Sequence, residues 1–286
     1  MLNVSIVLYN MDWQEVQTLL ETLLQSPQLR HIYLIDNSPM PSEEALQLIQ
    51  KQHQKPLYEQ KVVYKHNQGR NLGYGAGHNI ALRESIYDNI PYHLVMNSDI
   101  ELQVGDLEKM VEFMDRYPLA GMVSPRMVYK NGEPQDTATL LPTPMDLFAR
   151  RFLMYSHLSI IRKIFEWKNR KYTLRNIDHS RLLNVPKLSG CFMFLRVSAL
   201  EKVGLFDERF SLYMEDVDLS RRMHRHYLTI YYPFVTIIHA YRRASHQKGR
   251  AMRLHIQNAI RYFNKYGWLF DKERRMMNKI AKENLQ

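Results

Sequence analysis

The feature that most constrains this chain is the alternation of strand-like and helix-like segments in its first hundred residues. Residues 3–9 form a nearly continuous apolar run, the pattern of a strand buried on both faces of a parallel sheet. Asp12 is placed to cap a helix in which Val16, Leu19, Leu20, Leu23 and Leu24 recur at helical spacing. A second strand over 31–36 stops at Asn37-Ser38-Pro39, and a second helix starts near 42 with Glu43 and Glu44 where the helix dipole favours acids. A third strand over 61–65 runs into a glycine-rich segment and a helix, and a fourth covers 92–96. Parallel strands joined by helices need right-handed crossovers, so three such alternations predict an α/β fold with a mostly parallel central sheet flanked by helices.

Beyond residue 100 the pattern predicts a helix over 105–117, a short strand over 120–123 and a proline-rich loop over 134–144. Regular structure resumes at 187–196, 198–203 and 207–213, then a helix over 215–226, a strand pair over 231–240 and a basic helical tail from 249. No segment repeats. The length of 286 residues suits one large domain with a helical appendage. Hydrophobic residues at 45% and charged residues at 24% exclude disorder as the dominant state. A single cysteine, Cys191, excludes a disulfide framework and a cysteine-built zinc site and fits a reducing compartment. No apolar run reaches the roughly 18 residues of a membrane span, and the N-terminus reads as a core strand rather than a signal peptide. A cytoplasmic chain is expected, with the option of peripheral attachment to the inner face of the membrane.

Charge is distributed unevenly. Residues 1–149 carry 11 Lys/Arg against 18 Asp/Glu (−7), and residues 150–286 carry 28 against 11 (+17). So basic a half points to an anionic partner: nucleic acid, anionic lipid or a phosphorylated substrate. Without a zinc finger, RNA-binding sheet signature or basic zipper, nucleic acid is the weakest of these. The aromatic and basic stretch 145–171 has the composition of a segment lying on an anionic membrane. It fits equally a helix whose aromatics pack inward and whose basic face is wet.

Ligands of open parallel sheets collect at the carboxyl ends of strands, where strand order reverses. Four polar clusters fall there: Tyr9-Asn10, Asp36-Asn37-Ser38, the glycine segment 69–79 and Asn97-Ser98-Asp99. The glycines at 73, 75 and 77 match neither the dinucleotide fingerprint nor a phosphate loop. They fit a turn, or a backbone that approaches a sugar-phosphate. Asp99 suits a Mg2+ or Mn2+ shell completed by water and diphosphate oxygens. Glu215, Asp216 and Asp218 open a helix, where acids cap well; Asp218 also has Arg221 and Arg222 within pairing distance. Three acids in four residues repel one another, and a raised pKa on one suits a general base. His239 follows an apolar run and fits either a structural histidine or a manganese ligand.

Together these residues resemble glycosyltransferase family 2, the inverting nucleotide-sugar transferases, and within it the rhamnosyltransferase-like group of bacterial surface-glycan enzymes (O-antigen and capsule). The likeness spans about residues 3–265 and rests on 5–10, 35–38, 71–79, 97–100, 189–192, 203–208 and 213–219. It implies a GT-A fold over 1–248, with a nucleotide-sugar half (1–130) and an acceptor half (131–248), and a basic helical tail over 249–286. It further implies that Asp36 contacts the nucleobase, and that Tyr9, Asn10, Asn97 and Ser98 lie in the nucleotide pocket. Asn71, Gly73 and Asn79 would shape the wall of that pocket. Asp99 would ligate a divalent cation with His239 as a second ligand, and Asp216 would be the catalytic base with Glu215 and Asp218 as supporting acids. One departure is that the first acid of the family's metal motif is Asn97 here. The implied donor is dTDP-rhamnose or, next, a UDP-hexose. The implied acceptor is a saccharide, in this family often on a polyprenyl diphosphate, and basic tails in the family also form homodimer contacts. The rival readings are a nucleotide-sugar-binding protein without turnover and a sugar nucleotidyltransferase. The latter is disfavoured because Tyr9-Asn10-Met11-Asp12-Trp13 replaces a glycine-rich loop.

Overall fold

The computed structural model describes residues 1–53, 60–147, 159–240 and 248–284. Strands β1 (Leu2–Leu8), β2 (Leu29–Asp36), β3 (Val62–His66) and β4 (Tyr92–Met96) alternate with helices α1 (Trp13–Leu23), α2 (Glu43–His53) and α3 (Tyr74–Tyr87). Asp12 caps α1 by accepting from the Gln14 N–H. Then come β5 (Ile100–Glu101), α4 (Asp106–Arg116), β6 (Ala120–Val128), β7 (Ala138–Thr139), α5 (Ser159–Tyr172), β8 (Leu183–Asn184), β9 (Lys187–Leu188) and β10 (Phe192–Arg196). The last elements are α6 (Val197–Val203), α7 (Glu215–His224), β11 (Leu228–His239), α8 (Lys248–Tyr266) and α9 (Lys272–Asn284).

The main sheet runs β3-β2-β1-β4-β10-β6-β11-β5, with β8 beside β11. Strands β1 to β4 pair in parallel, and β6 pairs in parallel with β11. Strand β10 is antiparallel to both β4 and β6, so β4, β6 and β11 point the same way. The carboxyl ends of all six parallel strands therefore share one edge, and the strand order reverses at β1 and β4, where a crevice is expected. One face of the sheet buries Val4 and Ile6 with Val16 and Leu20 of α1 and Met110 and Met114 of α4. The other buries Val95 and Met193 with Leu82 of α3, Ala199 of α6 and Leu219 of α7. Asn3 and Ser5 interrupt the apolar run of β1 yet are fully buried. A chain of hydrogen bonds through Ser85, His93 and His78 satisfies them, and burial pushes the His93 ring down to about 3, so it stays neutral.

Four expectations need correction. Strand β6 is nine residues long rather than four, because β10 and β11 cover it on both sides. The expected pair over 231–240 is one strand, β11, whose register breaks between Tyr232 and Thr236; Pro233 lies there and has no N–H for the ladder. Residues 207–213 form turns, with Asp207 accepting from the Arg209 backbone and side chain. The proline-rich stretch contributes a small strand, β7, paired with β9. The tail is no loose appendage. Ala259, Tyr262, Phe263 and Met277 bury themselves with Leu141, Phe210, Met214 and Val217. Of the aromatic and basic stretch 145–171, for which a membrane segment and an ordinary packed helix fitted equally, residues 148–158 lie outside the described residues; its described end includes Trp167, exposed under the Lys171 ammonium.

Candidate active site

Asp36 ends β2 and is almost fully buried. Its carboxylate accepts from the Ser38 N–H and the Tyr64 hydroxyl, at 2.8 and 2.6 Å, and this contact together with burial pushes the phenol pKa up. Asn10, in the left-handed region at φ 49°, donates its N–H to the Ser38 hydroxyl. Asp36, Asn10 and Ser38 line a cavity of about 330 Å³ with Leu8, Trp13 and Met40. Tyr9 is half-buried beside it in sequence. Leu8 lies in register with Asp36, and Ile6 with Met96. Asp36 and Asn97 thus flank the end of β1 two strand spacings apart, about 10 Å.

The glycines of α3 are packing residues. Gly73, at φ +88°, lies so close to the Ser211 carbonyl that a Cβ would sit 2.2 Å from its oxygen. A Cβ on Gly75 would meet Phe206 at 2.9 Å and one on Gly77 would meet Val7 at 2.7 Å. Asn71 accepts from the Gly73 N–H and shapes the turn into the helix. Asn79 ties α3 to the segment 206–208. Its amide is buried between the Phe206 backbone, which it holds through both N–H and C=O, and Glu208.

Asp99 and His239 do meet. Strand β5 pairs with the end of β11, His239 opposite Ile100, which sets the His239 Nε2 3.3 Å from Asp99 Oδ1. The Asn97 amide lies 3.4 Å from the same nitrogen, and Ser98 is buried between them in sequence. On its other side the ring contacts Gln135 Oε1 at 2.8 Å, and Gln135 returns a bond to the His239 carbonyl. Burial works against the charged ring, but contacts with Asp99 and Cys191 outweigh it and raise its pKa to about 10. A ring oriented by a side-chain carbonyl at Nδ1, with Nε2 facing a carboxylate, is the arrangement of a histidine metal ligand. A cation there would take the place of the shared proton. No group of three His, Cys, Asp or Glu that could hold a metal occurs among the described residues. Two protein ligands suit an ion that leans on water and substrate phosphate.

Asp216 reaches the same edge from the opposite direction. Residues 190 and 191 precede β10, whose Phe192 lies beside Met96; the Cys191 carbonyl accepts from the Asn97 N–H, and the Gly190 N–H donates to Asp216 Oδ2. A Cβ on Gly190 would sit 3.0 Å from Asp216 Cβ, so a larger residue there would have to push the carboxylate aside. Lys187 places its ammonium 3.5 Å from Asp216. Burial works against that charge, but Asp216 and its neighbours outweigh it and raise the lysine pKa. Tyr74 donates to the Gly190 carbonyl at 2.6 Å. Its phenol pKa is pushed well up, by burial first and then by the acidic groups around it, Asp216 and Asp99 among them. One side chain therefore feels both ends of the site. Glu215 is buried, its Oε2 has no hydrogen-bond partner, and burial with the charge of Asp216 pushes its pKa up to about 8. Tyr213 and Met214, which lead into α7, are both left-handed, a strained entry costing about 1–3 kcal/mol per residue. Asn258 of α8 holds it by donating to the Leu212 carbonyl.

Asp218 has partners other than those of Asp216. It is fully buried and bound by Arg222, Lys265 and the Tyr266 hydroxyl. Of the two arginines in reach it takes Arg222, because Arg221 is engaged by Asp271 and Glu273. Lys187 and Gln135 carried no motif that would have marked them. Tyr74 sat unremarked inside the glycine segment.

A family model described as "Glycosyl transferase family 2" matches residues 4–204. The chain belongs to glycosyl transferase family 2. The match covers Asp36, the glycine segment and Asp99 and ends before Glu215, Asp216 and His239. A relative by sequence is the N-acetylglucosaminyl-diphospho-decaprenol L-rhamnosyltransferase of Mycobacterium tuberculosis, 28% identical over 215 residues, or 71% of this chain and 66% of the relative. The chain thus spans just under two thirds of that enzyme's length. Among solved structures, GalNAc-T7 with UDP, GalNAc and Mn2+ superposes with a TM-score of 0.61 at 15% identity, over 91% of this chain and 47% of the other. Mannosyltransferase PcManGT from Pyrobaculum calidifontis, in complex with GDP-Man and Mn2+, gives 0.57 at 15% identity over 99% and 74%. At these identities the likeness is one of fold, and the fold is the expected GT-A type.

Proposed function

We propose that this family 2 member is an inverting glycosyltransferase that moves a sugar from a nucleoside diphosphate to a hydroxyl of a saccharide acceptor. The observation that carries the reading is the shared edge. Six parallel strands bring Asp36, Asp99 and His239 to one side of the sheet, and Gly190 ties Asp216 to it. Asp36 with Asn10 and Ser38 is suited to the nucleoside, and Asp99 with His239 to a divalent cation near the diphosphate. Such an ion, when bound, supplies charge neutralisation to the leaving group. Asp216 takes the proton of the acceptor hydroxyl as its oxygen bonds to the anomeric carbon and the bond to the diphosphate oxygen breaks. Lys187 offsets the negative charge beside that step, and Glu215, protonated at neutral pH, adds none.

The rhamnosyltransferase relative supports L-rhamnose from dTDP-rhamnose as donor sugar, with a UDP-hexose as the second choice, and a lipid-diphosphate-linked saccharide as acceptor in cell-surface glycan synthesis. Calorimetric titration with dTDP-rhamnose, UDP-hexoses and their nucleotides, each with Mn2+ and with chelator, tests donor and cation together. Saturable binding that weakens with chelator or with His239→Ala is expected. Asp216→Asn is expected to bind donor normally and to lose about 10²–10⁴-fold in turnover. Binding without turnover in the unaltered chain would favour the non-catalytic reading. Absence of saturable binding by every nucleotide sugar would sink both.

A further inference from the structure

A second cavity lies away from the carboxylate edge, on the tail. A groove of about 650 Å³ runs between Thr143, Pro144 and Met145 on one side and Trp268, Leu269 and α9 on the other. Its floor is largely apolar, and its rim carries Arg275, Lys279 and Lys282 with one acid, Glu283, which pairs with Lys279 at 3.7 Å. Next to it the connector between α8 and α9 presents Leu269 at 67% and Phe270 at 83% exposure. Helix α9 buries Arg274, Met277 and Ala281. Its outer face interleaves Met276 and Ile280, 56% and 45% exposed, with Lys272, Arg275, Lys279 and Lys282, all exposed.

The connector is held in this pose. Arg275 donates to the Leu269 carbonyl at 2.7 Å, Trp268 donates to Asn264 and packs on Phe263, and Asp271 accepts from the Arg274 N–H while binding buried Arg221. Two large apolar side chains are thus fixed outward in water beside a row of cations. Apolar residues on the crest of a cationic helix are what an interfacial segment requires: the hydrocarbon enters the headgroup boundary and the cations meet anionic headgroups. A second copy of the chain fits less well, since a two-fold contact would press this patch against itself and set four cations against four.

We propose that the connector bearing Leu269 and Phe270, with the outer face of α9, docks the protein on the surface of an anionic phospholipid bilayer. This surface differs from the 145–171 stretch expected from composition, although Met145, at the start of that stretch, lines the same groove. Docking here needs neither donor nor acceptor, so it stands or falls apart from the transferase reading. Helix α9 is joined by Arg221 to α7, the helix that carries Asp216, so the docked face and the site belong to one packed unit.

The test is co-sedimentation of the full chain, without sugar nucleotide, with vesicles of phosphatidylcholine alone and of phosphatidylcholine mixed with phosphatidylglycerol. The expected result is partitioning onto the anionic vesicles that falls with salt and is largely absent on the neutral ones. Each cation near an anionic surface contributes about fivefold, so Lys279→Gln with Lys282→Gln should lower the partition coefficient about 30-fold. Leu269→Ser with Phe270→Ser should lower it at unchanged charge. Both pairs are solvent-exposed, so the melting temperature should hold and confirm intact folding. Failure of either double variant to lower partitioning, equal partitioning on both vesicle types, or none on either overturns the proposal. So does a dimer in solution that the Leu269 and Phe270 substitutions dissociate.

Discussion

At the scale of single residues the site rests on two neighbouring acids in different environments. Asp216 faces Lys187 and the Gly190 N–H, while Glu215 is buried with one oxygen unpartnered. In the unfolded chain Glu215 ionises near its ordinary 4.5, but in the fold it keeps its proton up to about 8. Between those values the folded state binds more protons than the unfolded one, so the stability it contributes is present below about 4.5 and is lost as pH rises toward 8. Thermal melts of the unaltered chain and of Glu215→Gln from pH 5 to 8 should show a decline in the former that the latter lacks. Parallel curves would place Glu215 in a wetter setting than the structure gives. The run of acids was visible in the sequence. Which of them would be buried and neutral and which bound to a cation was not, because, although Arg222 lies one turn from Asp218, Lys187 and Lys265 arrive from distant elements.

At the scale of elements, α3 shows how a motif is legible while its purpose is not. Glycines at 73, 75 and 77 fit a turn or a backbone open to a sugar-phosphate, and in the fold each marks a close approach of the helix to a neighbour: Ser211, Phe206 and Val7. Gly77→Ala would set a methyl 2.7 Å from a Val7 methyl. Valine is stiff at χ1, so the overpacking should cost about 1–3 kcal/mol in denaturant unfolding. Val7→Ala in the same chain should return part of the loss. An alanine at 77 without cost would mean that α3 shifts freely on the sheet. The turn into α7 follows the same logic: its two left-handed residues are non-glycine and unremarkable in sequence, and the clamp from Asn258 in α8 holds them.

At the scale of the whole molecule the basic tail belongs to the fold. Arg221 of α7 is almost fully buried and binds Asp271 and Glu273 at the start of α9. Glu273 also takes Arg225, and Lys265 spans Asp207 and Asp218. Removing the shared cation leaves buried Asp271 with only Arg274, its N–H at 2.9 Å and its guanidinium at 4.0 Å, so Arg221→Met should cost about 3 kcal/mol. Amide exchange should then quicken most in α8 and α9. Unchanged exchange there would show that the apolar cluster around Phe210, Tyr262 and Phe263 holds the tail alone. Part of the surplus of cations in the second half pairs with acids inside the molecule, and four more, Lys272, Arg275, Lys279 and Lys282, lie exposed on α9.

The sequence by itself determined the α/β class, the order of the first four strands and helices, and the polar residues waiting at strand ends, since these follow from local periodicity and capping. Tertiary structure alone decided which of those residues meet. His239 reaches Asp99 through the pairing of β5 with β11, Asp216 reaches Asn97 through residues 190 and 191, and Asn79 and Asp218 are drawn inward instead. Hydrophobic periodicity fixes the face a residue takes within its own element, whereas contacts between residues more than a hundred positions apart depend on sheet order and register, which no local pattern encodes.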